Sequence, residues 1–208
     1  MKINCDNNTN FNANRFARSG KFQICKLNDR KDITFLKGFC DRTDFQKLMP
    51  NLSKRESSRW HEMLEYAVAC AEIPMNTTYL EILDDKLCGI ITCFQNQTTF
   101  VDCICTIPIK AGEKVKLAGK TLFYQVFKDF LEYDGCRMKL KAITDGPYNT
   151  IKVYKELGLK ETSNVTKTYT EMEANKYSIK KTMEYLKELI PYKQVPEEKI
   201  DLQEVITN

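Results

Sequence analysis

The sequence predicts an α/β (α+β) fold with a mixed, mostly antiparallel central sheet and helices on both faces. Three observations predict it. Strand-like and helix-like patterns alternate along residues 21–175, three of the strands are joined by short turns, and one of these three is apolar on both faces. In a chain of 208 residues with 42% hydrophobic and 29% charged side chains, one domain with a sizeable core is expected.

The N-terminal third is predicted to combine a polar arm, a strand and helices. Residues 1–20 contain six Asn and little apolar periodicity, so we expect a flexible arm there. Alternating apolar residues then indicate a strand over Lys21–Leu27. Further along, Ser53 and Glu56 have the spacing of a capping box, which predicts the start of a helix with Trp60 on its apolar stripe.

A three-strand meander is predicted next, over Thr77–Leu83, Leu87–Phe94 and Thr99–Ile107. The turns between these runs are short, which favours antiparallel neighbours. The third run is apolar on both faces, as is typical of a central strand that is covered on both sides. Asp102 lies in the middle of this run, so its carboxylate is expected to be buried and to have a raised pKa.

The C-terminal half is predicted to add helices and further strands to the same sheet. Helical patterns cover residues 118–133, 149–157 and 176–190, and strand patterns cover residues 138–144, 159–161 and 166–172. The predicted organisation is therefore the arm at 1–20, one domain at 21–175, and a C-terminal helix and charged tail at 176–208. The last helix is expected to cover the sheet, and pairing through it in a homodimer is left open.

Composition excludes several classes of protein and site. The longest apolar runs are too short to span a bilayer and the N-terminus has no signal-peptide pattern, which predicts a cytoplasmic protein without a membrane partner. The net charge of +4 is spread along the chain, unlike the concentrated basic face of a nucleic-acid binder. Nine scattered Cys without a C-x-x-C pair, and His61 as the only His, predict no metal site.

A basic loop lies between the third meander strand and the following helix. The arrangement of strand, loop and helix N-terminus favours anion binding, because backbone N–H groups and the helix dipole point the same way. Lys114, Lys116 and Lys120 add positive charge, and Gly119 lets a phosphate approach the backbone closely. A P-loop is excluded because Gly-x-x-x-x-Gly-Lys-Ser/Thr is absent. From the residues alone, a solvated basic loop is the alternative.

Two motifs resemble those of the GCN5-related N-acetyltransferase (GNAT) family. The segment 114–119 is similar to the family's pyrophosphate loop, Arg/Gln-x-x-Gly-x-Gly/Ala, with Leu117 in place of the first Gly and Gly119 matching the second. Downstream, Asn149 and the run Tyr154-x-x-x-Gly158-Leu-x-Glu resemble the family's second signature. The turn after Leu83 also resembles the family's second hairpin.

This resemblance covers roughly residues 22–173 and implies an enzyme. It implies direct transfer of an acetyl group from acetyl-CoA to a primary amine of a small molecule or peptide, without a metal. It further implies that backbone groups of the central strand pair with the pantetheine arm, that the loop holds the pyrophosphate, and that Asn149 assists. The implied cofactor-binding residues are Cys105, Thr106, Ile107, Val115, Lys116, Leu117, Ala118, Gly119, Lys120 and Asn149.

Catalytic roles follow from the resemblance and from acid–base chemistry. Tyr154 matches the family's general acid, and proton transfer from a phenol of pKa about 10 to a thiolate of pKa about 8.5 is only slightly uphill. Asp102 is the first candidate for the base that removes the amine proton. Glu81 on the neighbouring strand and the more remote His61 are further candidates, as is a relay through water.

Three other functions are considered. A covalent acyl-enzyme on Cys103 or Cys105 requires a nearby base, which His61 would have to supply. A catalytically inactive CoA-binding or regulatory module is favoured by Leu117 at the position of a family Gly. A nucleic-acid binder lacks the expected face of basic and aromatic residues.

Overall fold

The computed structural model describes residues 12–27, 30–145 and 149–202. Fifteen elements follow each other along these ranges. In chain order they are β1 Asn12–Ser19, β2 Phe22–Leu27, α1 Arg30–Arg42, α2 Phe45–Leu48, α3 Lys54–Ala71, β3 Asn76–Leu83, β4 Lys86–Phe94, β5 Thr98–Thr106, α4 Ala118–Glu132, β6 Arg137–Ile143, α5 Thr150–Glu156, β7 Lys160–Val165, β8 Tyr169–Asn175, α6 Lys176–Leu189 and β9 Tyr192–Asp201.

All nine strands belong to one sheet, in the order β7-β8-β6-β5-β4-β3-β2-β1-β9. Every neighbouring pair is antiparallel except β5 and β6, which are parallel. The predicted meander is confirmed as β3, β4 and β5. The predicted fold class, a mixed and mostly antiparallel sheet with helices on both faces, is also confirmed.

Two apolar layers hold the helices to opposite faces of the sheet. On one face, α4 and α6 bury side chains such as Phe123, Phe127 and Ile179. On the other face, α1 and α3 bury side chains such as Leu36 and Leu64. The described helices are amphipathic, and none of them has both the length and the apolar character that crossing a membrane requires.

The start of α3 is fixed by the capping box that the sequence predicts. The Ser53 hydroxyl accepts a hydrogen bond from the Glu56 N–H at 3.3 Å, and the Glu56 carboxylate accepts one from the Ser53 N–H at 2.8 Å. Such a cap stabilises a helix by about 1 kcal/mol. It sets the helix phase so that Trp60 and Leu64 face the sheet.

Both ends of the predicted domain organisation need correction. Residues 12–19 of the predicted arm form β1, and residues 192–201 of the predicted tail form β9, which pairs with β1. The physical reason is that pairing satisfies the backbone N–H and C=O groups along an otherwise open sheet edge. The edge strand β9 needs no strong alternation of apolar residues, and β1 buries only small apolar side chains, Ala13 and Ala17, so the pattern reveals neither strand. Residues 1–11 and 203–208 lie outside the described part of the chain.

Candidate active site

A notch opens in the sheet where β5 and β6 separate. Their parallel pairing runs from Thr98 and Arg137 to Val101 and Leu140. Beyond that point the described residues of the two strands form no further pairs, although β5 continues to Thr106. The second half of β5 therefore borders an opening instead of a neighbouring strand.

A β-bulge lies at the beginning of this opening. Along β4 and β5, Thr92 pairs with Cys103 and Cys93 pairs with Val101, which leaves Asp102 as the extra residue of β5. A bulge bends its strand and re-aims the side chains next to it. The register shift thus coincides with the end of the β5–β6 pairing.

Asp102 is exposed, and the prediction that its carboxylate is buried is wrong. The side chain faces solvent on the same side of β5 as the exposed Phe100, and Asn76 Nδ2 donates a hydrogen bond to Asp102 Oδ2 at 2.9 Å. Partial desolvation raises the pKa of Asp102, and the hydrogen bond from Asn76 opposes this rise. Asp102 does not line the cavity described next.

A cavity of about 750 Å³ fills the notch and is lined from both faces of the sheet. One wall comes from the first half of α4, from α5 and from the loop before α4. The opposite wall comes from the end of α2 and from α3. The lining residues are Met49, Trp60, Met63, Ile104, Thr106, Ile107, Pro108, Lys114, Val115, Lys116, Leu117, Ala118, Gly119, Lys120, Phe123, Ile143, Thr150, Val153, Tyr154 and Leu157.

The loop at residues 114–120, called here the phosphate loop after its predicted role, presents the N-terminus of α4 to the cavity. Leu117 occupies the N-cap position of α4 with φ 69° and ψ −8°, and its side chain makes no capping hydrogen bond. The first N–H groups of a helix have no partner inside that helix. Those of Ala118, Gly119 and Lys120 lie at the cavity wall, so they favour an anionic group there.

Gly119 leaves space next to the cavity that packing does not require. A Cβ at this position would lie 3.6 Å from Thr106 Cγ2 and 3.7 Å from Ile104 Cδ1, which are ordinary contacts. The protein interior would therefore accept a larger residue. The absence of a side chain serves close approach from the cavity side, as a phosphate at a helix N-terminus requires.

The charge on the cavity wall is positive. Among the described lining residues, the ionisable side chains are Lys114, Lys116, Lys120 and Tyr154. Lys120 also lies 3.6 Å from Glu156 Oε2, an ion pair that joins the first turn of α4 to the end of α5. This distribution suits an anionic ligand at the phosphate loop.

Tyr154 projects from α5 into the same cavity. Its ring meets the ring of Phe123 edge to face, with centroids 5.8 Å apart. Burial, and secondarily the nearby Cys103, raise the pKa of Tyr154 above the ordinary value for a phenol. The hydroxyl therefore keeps its proton at neutral pH, and the raised pKa makes its transfer to a thiolate more uphill than for an ordinary phenol.

Two predicted cofactor-binding residues lie outside the cavity lining. Cys105 is buried in the core on the α3 side of the sheet. Asn149 caps α5 instead, since its side chain accepts a hydrogen bond from the Lys152 N–H at 3.1 Å. Through this cap, Asn149 fixes the start of the helix that carries Tyr154. The other predicted cofactor-binding residues line the cavity.

The other candidate bases and nucleophiles are not among the residues that line the cavity. Glu81 is fully buried, and His61 Nε2 lies 3.6 Å from Glu65 Oε1. Burial raises the pKa of the Cys103 thiol well above its usual value, and burial also raises that of Cys105. A thiol that is hard to ionise makes a poor nucleophile, so the covalent alternative loses support.

Sequence reasoning missed the wall that α2 and α3 contribute. Met49, Trp60 and Met63 fit the apolar pattern of helices that pack on a sheet, and they gave no sign of lining a cavity. Phe123 on α4 was likewise indistinguishable from a core residue. Only the separation of β5 from β6 exposes these side chains to a common space.

Comparisons with known proteins place the fold. No protein-family profile matches the sequence, and neither does any curated protein. Solved structures do match. The PaiA N-acetyltransferase from Thermoplasma acidophilum, in complex with coenzyme A, has a TM-score of 0.52 at 16% identity, with 74% of this chain and 98% of that chain covered.

Two further structures have the same architecture. FdhC, a nucleotide-linked sugar GNAT, has a TM-score of 0.55 at 11% identity, covering 81% of this chain and 95% of its own. A mutant of spermidine N-acetyltransferase from Vibrio cholerae has a TM-score of 0.50 at 11% identity, covering 77% and 96%. The separation of the central strands β5 and β6 and the matches to these structures both show that the chain has the fold of the GCN5-related N-acetyltransferases.

Proposed function

We propose that this protein is an N-acetyltransferase that transfers the acetyl group of acetyl-CoA directly to a primary amine. One observation carries the proposal: a single cavity joins the phosphate loop to Tyr154 through the gap between β5 and β6. The cavity thus combines a place for the diphosphate with a proton donor. The coenzyme A complex of the PaiA structure supports the same use of this fold.

Acetyl-CoA fits the residues that line the cavity. Its diphosphate would be held by the N–H groups of Ala118, Gly119 and Lys120 and by the charge of Lys114 and Lys116. Its pantetheine arm would run along the end of β5 at Thr106 and Ile107, which have no β6 partner among the described residues. The Ile107 N–H is not available to it, because it donates to the Cys88 carbonyl on the β4 side at 2.8 Å. An unpaired strand edge offers donors and acceptors to an amide-containing ligand.

In the proposed reaction, the neutral amine attacks the thioester carbonyl. A C–N bond forms and the C–S bond breaks. The nitrogen releases its remaining extra proton to water, and Tyr154 gives its proton to the departing thiolate. Asp102 would take the proton from the incoming ammonium at the exposed bulge, from which the amine then enters the gap. Its raised pKa brings it closer to neutral pH than an ordinary Asp. Water then returns a proton to Tyr154.

The acceptor is proposed to be a small-molecule or peptide amine. The spermidine N-acetyltransferase of the same fold acts on such a molecule by name. The alternative is a CoA-binding or regulatory module without turnover. Leu117 favours it, because a partly exposed side chain stands at the loop where the family has Gly.

Thiol release from acetyl-CoA, measured with a panel of primary amines, distinguishes the proposed acetyltransferase from the CoA-binding module. We expect turnover with the wild type and a loss of about 10²- to 10⁴-fold in kcat for Tyr154→Phe, with little change in CoA affinity by calorimetry. Tyr185→Phe, an exposed tyrosine on α6, is the matched control and should behave as the wild type. Tight CoA binding without turnover on any amine would favour the module, and absence of CoA binding would refute both.

A further inference from the structure

The cavity has a second end that the diphosphate and the proton donor do not use. It is formed by Met49, Trp60 and Met63 and is called here the α3 end. These residues pack on the face of the sheet opposite to α4. A ligand that starts at the phosphate loop and passes between β5 and β6 arrives at this end.

The α3 end is held in place from several sides. Trp60 stacks on Phe45 with ring centroids 6.0 Å apart. The Met63 carbonyl oxygen lies 3.6 Å from Cys103 Sγ, one residue beyond the bulge. The Gly112 N–H donates to the Leu48 carbonyl at 2.9 Å, which fixes the end of α2 and hence Met49 beside the loop before α4.

The chemistry of the α3 end is apolar and adaptable. No described lining residue on the α2 and α3 side is ionisable, whereas the cations lie at the phosphate loop. Methionine is unbranched and flexible, so two of them shape themselves to a chain of variable length. A charged group transferred there would lose its hydration without compensation.

Charge also separates the two reactants. The Asp102 carboxylate on β5 is exposed and lies outside the cavity. An ammonium is attracted to that side and not to the α3 end. The space that remains for the hydrocarbon part of the reactants is therefore the α3 end.

From these observations we infer that the α3 end binds the hydrocarbon chain of an acyl donor longer than acetyl. The inference rests on the proposed function, because the thioester has to lie at the gap between β5 and β6. Donors such as butyryl-, hexanoyl- and octanoyl-CoA would place their chains between Met49, Trp60 and Met63. Acetyl-CoA would leave this end to water.

Calorimetry with CoA and with the acyl-CoA series from acetyl to octanoyl tests the inference on the full chain without an acceptor. We expect affinity to increase with chain length, by up to about fourfold for each buried methylene. In Met63→Asp the affinity should no longer depend on the length of the acyl chain, and the affinity for CoA itself should be unchanged. Met75→Asp, at a methionine that is exposed and outside the lining, should keep the wild-type series.

A second variant keeps the test informative if Met63→Asp fails to fold. Met49→Trp narrows the same end from α2 without adding charge. In this variant the increase in affinity with chain length should stop at a medium chain length. A flat series with the wild type, at intact CoA affinity, overturns the inference and leaves the proposed function standing. So does a chain-length dependence that appears for alkylamines with the CoA-saturated protein instead. Absence of CoA binding refutes the proposed function as well.

Discussion

The rings of Phe123 and Tyr154 meet edge to face at an interplanar angle of 68°, and this contact joins α4 to α5 at the cavity wall. Phe123 is almost fully buried, so it shields one side of the phenol from water. Tyr154 itself is half-buried and lines the cavity, so Phe123 protects its ring on the α4 side only. This has consequences for the pH dependence of catalysis.

The first prediction concerns the alkaline limit of activity. A general acid works only while protonated, and burial raises the pKa of Tyr154, so its ionisation should not limit kcat below pH 10. Phe123→Leu should admit water, lower the pKa of Tyr154 and move the alkaline limb to lower pH. Phe130→Leu, equally buried in α4, is the control for lost packing. Identical kcat–pH profiles for the two variants would contradict the shielding.

The second prediction concerns the backbone at Leu117. Its φ of 69° lies in the left-handed region, which costs a residue with a Cβ roughly 1–2 kcal/mol. Leu117→Gly should therefore increase the free energy of unfolding by about 1 kcal/mol and increase CoA affinity, because the loop is freed for close approach. Leu189→Gly, at a similarly exposed leucine in α6, should instead lose about 1 kcal/mol. Urea unfolding and calorimetry give the two readouts.

The third prediction concerns a carboxyl group buried in the core. Glu81 is fully buried, and neither of its oxygens has a hydrogen-bond partner in the described part of the chain. The Thr121 hydroxyl lies close to Glu81 but donates to the Leu117 carbonyl at 3.1 Å. Burial raises the pKa of Glu81 well above its usual value, and Thr121 opposes this only in part.

The sign of the pH effect follows from that direction. Folded Glu81 keeps its proton at a pH where the unfolded chain has lost it, so stability is greatest below the unfolded pKa, about 4.3, and falls as pH rises. The slope is at most about 1.4 kcal/mol per pH unit. Glu81→Gln should remove this slope in urea unfolding between pH 5 and pH 8. Glu188→Gln, on the exposed face of α6, should leave it unchanged. A wild type that becomes steadily more stable over this range would argue against a neutral Glu81.

The fourth prediction concerns the polar cluster beneath α4. The Asp129 carboxylate accepts hydrogen bonds from the Tyr79 hydroxyl, from Gln125 Nε2 at 2.6 Å and from Gln95 Nε2 at 3.2 Å. Asp129→Ala strands three buried or half-buried donors, so a loss of about 2–4 kcal/mol in unfolding free energy is expected. Glu132→Ala removes only an exposed ion pair with Lys128 and should cost less than about 1 kcal/mol. Equal losses in the two variants would show that the cluster adds nothing.

Most of the fold was predictable because the sequence signals of its helices, strands and turns are local. The capping box of Ser53 and Glu56 fixes a helix start, and short turns fix the meander of β3, β4 and β5. The loop at residues 114–120 was predictable as the connection between a strand and a helix, and its role in phosphate binding stays a prediction. Each of these signals lies within a few residues along the chain.

The features that were not predictable depend on register between distant residues. Asp102 looked buried because apolar residues flank it in the sequence, and the pattern does not show that the face of β5 with Phe100 and Asp102 stays uncovered. The α3 end could not be seen because the separation of β5 from β6 leaves no mark on the periodicity of either strand. Met63 has the helical spacing of a core residue whether or not a cavity lies beside it.

β9 is one of the two edge strands of the sheet, and its sequence disfavours pairing with a strand of another molecule. In β9, the pairing with β1 shifts between Gln194 and Glu198, and Pro196 lies within this irregular stretch. Proline has no N–H to donate to a further strand. Pairing with an apolar strand would also bury the charges of Glu197 and Lys199, which is unfavourable. A strand from another chain would find a kinked and incomplete template along this margin. The sheet therefore ends at β9, and this edge hinders aggregation through β-sheet pairing between molecules at high concentration.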